Sequence, residues 1–151
     1  MRENHKLEGF YVTENCNILI KGGEPYILIN LEKFCELKKI NSPHCDFIYL
    51  LFQNNQYHLF LVELKSMGEL GEKELIDILD RVNKKFHKSK EMLVSMFRNF
   101  SINLNNNSII HNHNILVIQN VGKINALLKK LTTQKYREIK IIPSGGSIWD
   151  Y

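Results

Sequence analysis

The stretch CDFIYLLFQNNQYHLFLVELKS, residues 45–66, decides how this chain is read. FIYLLF and YHLFLVEL are rich in the aromatic and branched residues that suit sheets, and Gln53-Asn54-Asn55-Gln56 supplies a polar turn between them. Both faces of each segment are largely apolar, which predicts two central strands covered on both sides. An apolar core has no use for an aspartate near the start of one strand and Glu-x-Lys at the end of the other. Pairing Gln53 with Gln56 across the turn sets Asp46 opposite Glu63, within cross-strand reach. Alternation along the strand puts Glu63 and Lys65 on one face and Leu64 on the other.

Two carboxylates in partly apolar surroundings repel, and each loses hydration. A divalent cation relieves both costs. Mg²⁺ takes hard oxygen ligands and keeps several waters, so Asp46, Glu63 and the backbone carbonyl of Leu64 are a sufficient protein set. All-oxygen ligation disfavours zinc and copper. Such an ion polarises a phosphate oxygen. Lys65 is then placed to orient the attacking water and to offset charge in the transition state. A plainer reading fits the same residues: solvated ends of strands, with Glu63 paired to Lys65 or another lysine.

Working outward, NILIKGGEPYILIN (17–30) predicts a hairpin about Gly22-Gly23-Glu24-Pro25. LEKFCELKKI (31–40) predicts one or two helical turns with Leu31, Phe34, Cys35 and Leu37 inward. Pro43 ends it by biasing Ser42 away from helix. After the central strands, Leu75, Ile78/Leu79, Val82, Phe86, Leu93, Met96 and Phe97 recur at helical spacing, with a weak point or bend at His87-Lys88-Ser89-Lys90. Residues 103–114 read as an Asn-rich connection, 115–119 as a strand, 121–131 as a short helix and 137–142 as a last strand. The expected fold is a single α/β domain over residues 1–151, with a central mixed β-sheet flanked by helices.

The chain has 151 residues and 44% apolar content, a globular composition sufficient for one core. No apolar run approaches the roughly 20 residues that span a bilayer, so no membrane partner is expected. The opening MRENHKLEGF lacks an apolar signal core. Three cysteines without a C-x-x-C pair fit a reducing cytoplasm. Charge is uneven: residues 1–91 carry 13 Lys/Arg against 14 Asp/Glu, and residues 92–151 carry seven against two. That division suits an acidic metal site beside a polyanion-binding face, and equally suits helices kept soluble by lysine.

Asp46, followed across a short hairpin by Glu63-Leu64-Lys65, resembles the PD-(D/E)xK nuclease superfamily. Its fold is that of many restriction endonucleases and archaeal Holliday junction resolvases. The resemblance spans roughly residues 25–142 and includes the local forms Cys45-Asp46-Phe47 and Glu63-Leu64-Lys65-Ser66. It implies a restriction-endonuclease-like core, with Asp46 and Glu63 as metal-binding acids and Lys65 as the catalytic lysine. Cys45 stands where the family often has proline. An upstream acid that reaches the metal through water would be Glu36 or Glu32. The implied activity is Mg²⁺-dependent hydrolysis of DNA phosphodiester bonds, with Mn²⁺ substituting. Structure-directed cleavage by a homodimer fits a chain without room for a separate reading domain.

Arg81, Lys84, Lys85 and Lys88 lie near one helical stripe, and Lys123, Lys129 and Lys130 form a second basic group. Both suit phosphate contacts or ordinary exposed faces. His111-x-His113 is half of a metal motif without evident partners. The tail SIWDY caps the fold or docks on a second subunit. Two rival functions stay open: a non-catalytic nucleic-acid-binding or protein-interaction domain on the same scaffold, and a nuclease acting on RNA.

Overall fold

The computed structural model describes residues 2–3, 8–13, 16–21, 26–53, 56–66, 71–99, 110–119 and 125–148. Among these, β1 (Arg2–Glu3), β4 (Tyr26–Asn30), β5 (Phe47–Gln53), β6 (Gln56–Ser66), β7 (Ile110–Gln119) and β8 (Ile139–Pro143) lie side by side in that order. From β1 to β6 each strand is antiparallel to the one before it in the sheet, while β6, β7 and β8 are parallel. A separate antiparallel hairpin is made by β2 (Glu8–Thr13) and β3 (Cys16–Lys21). The helices are α1 (Leu31–Lys38), α2 (Glu72–Asn99) and α3 (Asn125–Gln134). The class is α/β, a mixed sheet flanked by helices.

Alternation divides the core in two. On one face Ile48, Leu50, Leu59, Leu61, Leu116 and Ile118 pack with Leu31 and Cys35 of α1, Leu75, Leu79, Val82, Phe86 and Leu93 of α2, and Leu128 and Leu131 of α3. On the other, Phe47, Tyr49, Leu51, Phe60, Val62, Leu64, Ile115 and Val117 are closed over by Ile18 of the hairpin and by Ile148. Burying both faces explains why β5 and β6 read as unbroken apolar runs. Their register pairs Phe47 with Val62 and Gln53 with Gln56.

The structure corrects the sequence reading in five places. The hairpin expected over 17–30 does not form, because β3 pairs with β2 while β4 pairs with β1 and β5. The cause lies in β4, where Leu28 is buried in one core and Ile29 in the other, so that segment belongs inside the main sheet. The Gly22–Pro25 turn itself, like the turn residues Asn54 and Asn55, lies outside the described residues. Leu37 is 69% exposed rather than inward. No break occurs at His87–Lys90, since α2 is continuous.

β7 starts at Ile110, five residues ahead of the expected strand, because β6 offers partners from Tyr57 onward. At the other end of the same reading, α3 is described only from Asn125 and continues to Gln134, past the expected end at 131. In the terminal segment Ile148 caps the hairpin-side core, and Trp149 to Tyr151 lie outside the described residues. No described helix is long and apolar enough to cross a membrane.

Candidate functional site

Asp46 sits immediately before β5, where three backbone hydrogen bonds fix it. Its N–H donates to the carbonyl of Val62 (3.0 Å), and its own carbonyl accepts from Leu31 (3.1 Å) and Glu32 (3.4 Å). The last two bonds satisfy open donors at the start of α1, and the Asn30 side chain caps a third, the N–H of Lys33 (2.9 Å). Val62 is the residue that the ladder assigns to Phe47, so the strand slips one position at Asp46, as in a β-bulge. The Asp46 carboxylate is thereby aimed along β6, where Oδ2 accepts from the N–H of Leu64 (2.7 Å).

Glu63 lies on the helix-covered face and is 2% exposed. Its Oε2 is ion-paired with Nζ of Lys85 on α2, whereas Oε1 is buried without a hydrogen-bond partner. Burial pushes the Glu63 carboxyl up to about 7, and the nearby negative charge of Asp46 pushes the same way. The hydrogen bond and charge of Lys85 oppose that rise. Two acids are therefore brought together with one buried oxygen unanswered. Lys65, half-buried, holds the next position on the same face, and the side chain of Leu64 points into the opposite core.

Helix α2 is pinned to this site. The inward positions Leu75, Leu79, Val82, Phe86 and Leu93 follow alternating steps of four and three residues, and the gap in that series falls on Ser89. Ser89 is fully buried, and its Oγ accepts the N–H of Cys45, the residue before Asp46, at 2.8 Å. A polar residue thus occupies an apolar stripe because a buried backbone donor needs it. The Cys45 thiol is pushed up to about 12, chiefly by burial and further by Glu63 and Asp46, against the Ser89 hydrogen bond. Such a thiol stays protonated and is no nucleophile.

Several expected site residues do not join the acids. Glu32 and Glu36 are exposed on α1. Among the described residues no group of three or more His, Cys, Asp or Glu side chains is arranged to hold a metal. The groups left that could hold a cation are Asp46, Glu63 and main-chain oxygen. They suit a hard ion that keeps much of its water, and the unpartnered Oε1 is the atom such an ion would satisfy.

Lys85, expected to contact phosphate, is instead turned inward onto Glu63. Lys88 is 3.6 Å from Glu91, and Arg81 donates to the carbonyl of Asp77. Lys84, Lys129 and Lys130 are exposed. Lys123 lies outside the described residues. On the same face, two positions before Glu63, a cleft of about 460 Å³ opens beside Leu61 and Phe86 and is lined by Asn83, His87, Lys90, Asn112, Asn114 and Lys140.

A second titratable cluster lies on the hairpin-covered face. His58 Nδ1 and His113 Nε2 are 3.1 Å apart with rings inclined by only 12°, and His111 Nε2 is 3.0 Å from Gln56 Oε1. The ring centroids of His58 and His113 are 5.4 Å apart. At that spacing the two nitrogens face each other along the line of centres, the geometry of a shared proton rather than of two ligands on one ion.

Compared with known proteins, the chain matches no family model, no curated protein and no solved structure. The chemistry of the site is therefore read from its own geometry. Sequence reasoning missed the roles of two of its residues. Ser89 falls in the stretch read as a weak point or bend of the helix, and Lys85 is read from sequence as a phosphate contact. Lys85 stands seven residues after Ile78, on the flank of the buried stripe, where a long side chain can reach inward.

Proposed function

We propose that this chain is a metal-dependent nuclease of the PD-(D/E)xK kind, with a restriction-endonuclease-like core, hydrolysing phosphodiester bonds in DNA. The observation that carries the reading is the buried Glu63 carboxylate, packed beside Asp46 with one oxygen unpartnered. A buried acid pair with one oxygen unsatisfied calls for an explanation, and a bound cation supplies one. Further support comes from the order of elements: the antiparallel run β4–β5–β6 carries both acids, then α2 crosses over to the parallel strand β7. That is the order the resemblance of Asp46 and Glu63-Leu64-Lys65 implies.

Asp46, Glu63 and the carbonyl of Leu64 would hold Mg²⁺, with Mn²⁺ able to substitute. When bound, the ion supplies Lewis acidity and concentrated positive charge. The chain supplies the rest. The bulge at Asp46 and the Leu64 N–H fix one carboxylate, and the core holds Glu63 in place. Lys65 positions the attacking water by hydrogen bonding and offsets the charge that builds on the phosphate oxygens. The water oxygen forms a bond to phosphorus, the bond from phosphorus to a sugar oxygen breaks, and solvent exchanges the protons. Arg81, Lys84 and Lys88 lie on α2 within one turn of Lys85 and suit non-specific phosphate contacts. Duplex cleavage calls for two copies, which makes a homodimer the expected working form.

The Lys85–Glu63 ion pair favours one rival, a non-catalytic domain in which Glu63 merely ties α2 to β6. Incubating the protein with labelled duplex, single-stranded and four-way-junction DNA and with RNA, in Mg²⁺, Mn²⁺ or EDTA, separates the two. Metal-dependent cleavage that disappears in Asp46→Ala and Lys65→Ala supports the nuclease. Folded wild-type protein that binds these substrates without cutting any of them supports the rival.

A further inference from the structure

Lys85 is the residue that the proposed mechanism leaves without a role, and its placement is specific. It leaves the middle of α2 and crosses to β6, where its ammonium meets Oε2 of a carboxylate only 2% exposed while the lysine side chain remains 32% exposed. One end of the pair is sealed, and the other has a way out. The pair is also incomplete, because Oε1 of Glu63 gains nothing from it. Ser89, one turn further along the same helix face, bonds the Cys45 backbone and holds α2 to the strand that carries Asp46. Lys85 can therefore swing away while the helix stays where it is, a side-chain motion rather than a conformational change of the fold.

We infer that Lys85 is an internal counter-cation that competes with the divalent metal for Glu63, so that the ion binds weakly until Lys85 is displaced. The inference rests on the metal reading given above and names how that same site is regulated. Without the ion, Lys85 compensates a buried negative charge that would otherwise be costly. With the ion in place, two cations would crowd one carboxylate, and the one with access to solvent leaves. The phosphates of a nucleic acid offer the released ammonium a new partner. Substrate and metal then bind cooperatively, each favouring the state in which Lys85 is off Glu63. Lys85 is a positioning residue in this scheme, since it acts through Glu63.

The test is metal affinity in the absence of nucleic acid. Free Mn²⁺ is followed by electron paramagnetic resonance at fixed pH and ionic strength for wild type, Lys85→Met, Lys85→Gln, Lys85→Arg and Asp46→Asn. Thermal melts confirm that each is folded. Removing the charge is expected to tighten Mn²⁺ binding roughly tenfold in both Lys85→Met and Lys85→Gln. Lys85→Arg, which keeps the competing charge, is expected to stay near wild type, and Asp46→Asn to lose binding. Unchanged or weaker binding in both neutral variants, with wild type still binding, overturns the inference and leaves the metal site standing. If neither wild type nor the neutral variants bind Mn²⁺ while folded, the metal reading itself fails, and this inference goes with it.

Discussion

Strand β6 contributes one side chain to each of two titratable clusters, Glu63 to one and His58 to the other, and they are built on opposite terms. Near its end, on the helix-covered face, Glu63 is buried beside Asp46 with one oxygen paired and one not. Near its start, on the hairpin-covered face, His58 stacks on His111 and meets His113 edge to edge, with hydrogen bonds between His58 and His113 and from His111 to Gln56. Burial disfavours the charged form in both: it raises Glu63 and lowers His113, the latter to about 4. Neutral imidazoles can share a proton and rest against Phe60. Two close carboxyls are eased only while one keeps its proton, and Glu63 loses that proton above about pH 7. A gathering of titratable groups is therefore weak grounds for a site, and an unanswered buried oxygen among them is better grounds.

The largest difference between the clusters should appear in catalysis. Glu63→Gln is expected to lower metal-dependent cleavage by about 10²–10³-fold, the scale of losing one key electrostatic group. His58→Ala and His113→Ala should leave the rate within about twofold. A cleavage assay on all three variants checks this, and a histidine variant as impaired as Glu63→Gln would break the comparison.

Next comes the pin between α2 and the acidic site. Ser89→Ala leaves the N–H of Cys45 buried without a partner and is expected to cost about 1–3 kcal/mol in urea denaturation.

A smaller effect, but one of diagnostic sign, is the pH dependence of stability. The folded-state Glu63 carboxyl titrates near 7 against an ordinary 4.5, so the folded chain holds the proton more tightly. Its contribution is complete below about 4.5 and is lost as pH rises toward 7. Wild type should therefore lose more stability than Glu63→Gln between pH 5 and 8. His113 runs the other way. Its pKa is depressed from 6.5 to about 4, so its contribution is present above 6.5 and is lost as pH falls through about 4. His113→Phe should flatten the acid side of the profile, and by less, because that ring is only half-buried. Denaturation curves across pH 4–8 read both slopes.

The central strands were legible in sequence because their turn fixes the register and both faces are apolar, and the pairing of Phe47 with Val62 follows from Gln53 and Gln56. The slip at Asp46 was not legible. It depends on α1 presenting its first N–H groups to the Asp46 carbonyl, a contact between segments that no local pattern encodes. Likewise, Lys85 reads as one of several lysines on an amphipathic helix until the fold places it over Glu63. The hairpin over 17–30 failed for a related reason. Gly22-Gly23 signals a turn but says nothing about which strands on either side will pair, and the apolar residues of β4 settle that by joining the main sheet.

The central claim is that Asp46 and Glu63 together hold a divalent metal, and the most direct measurement is anomalous scattering at the manganese edge from crystals soaked in Mn²⁺. The expected result is a single strong peak, or two close ones, bonded to Oε1 of Glu63 and to the Asp46 carboxylate, with Nζ of Lys85 withdrawn. A map with no peak there at saturating Mn²⁺, and Lys85 still seated on Glu63, would contradict it.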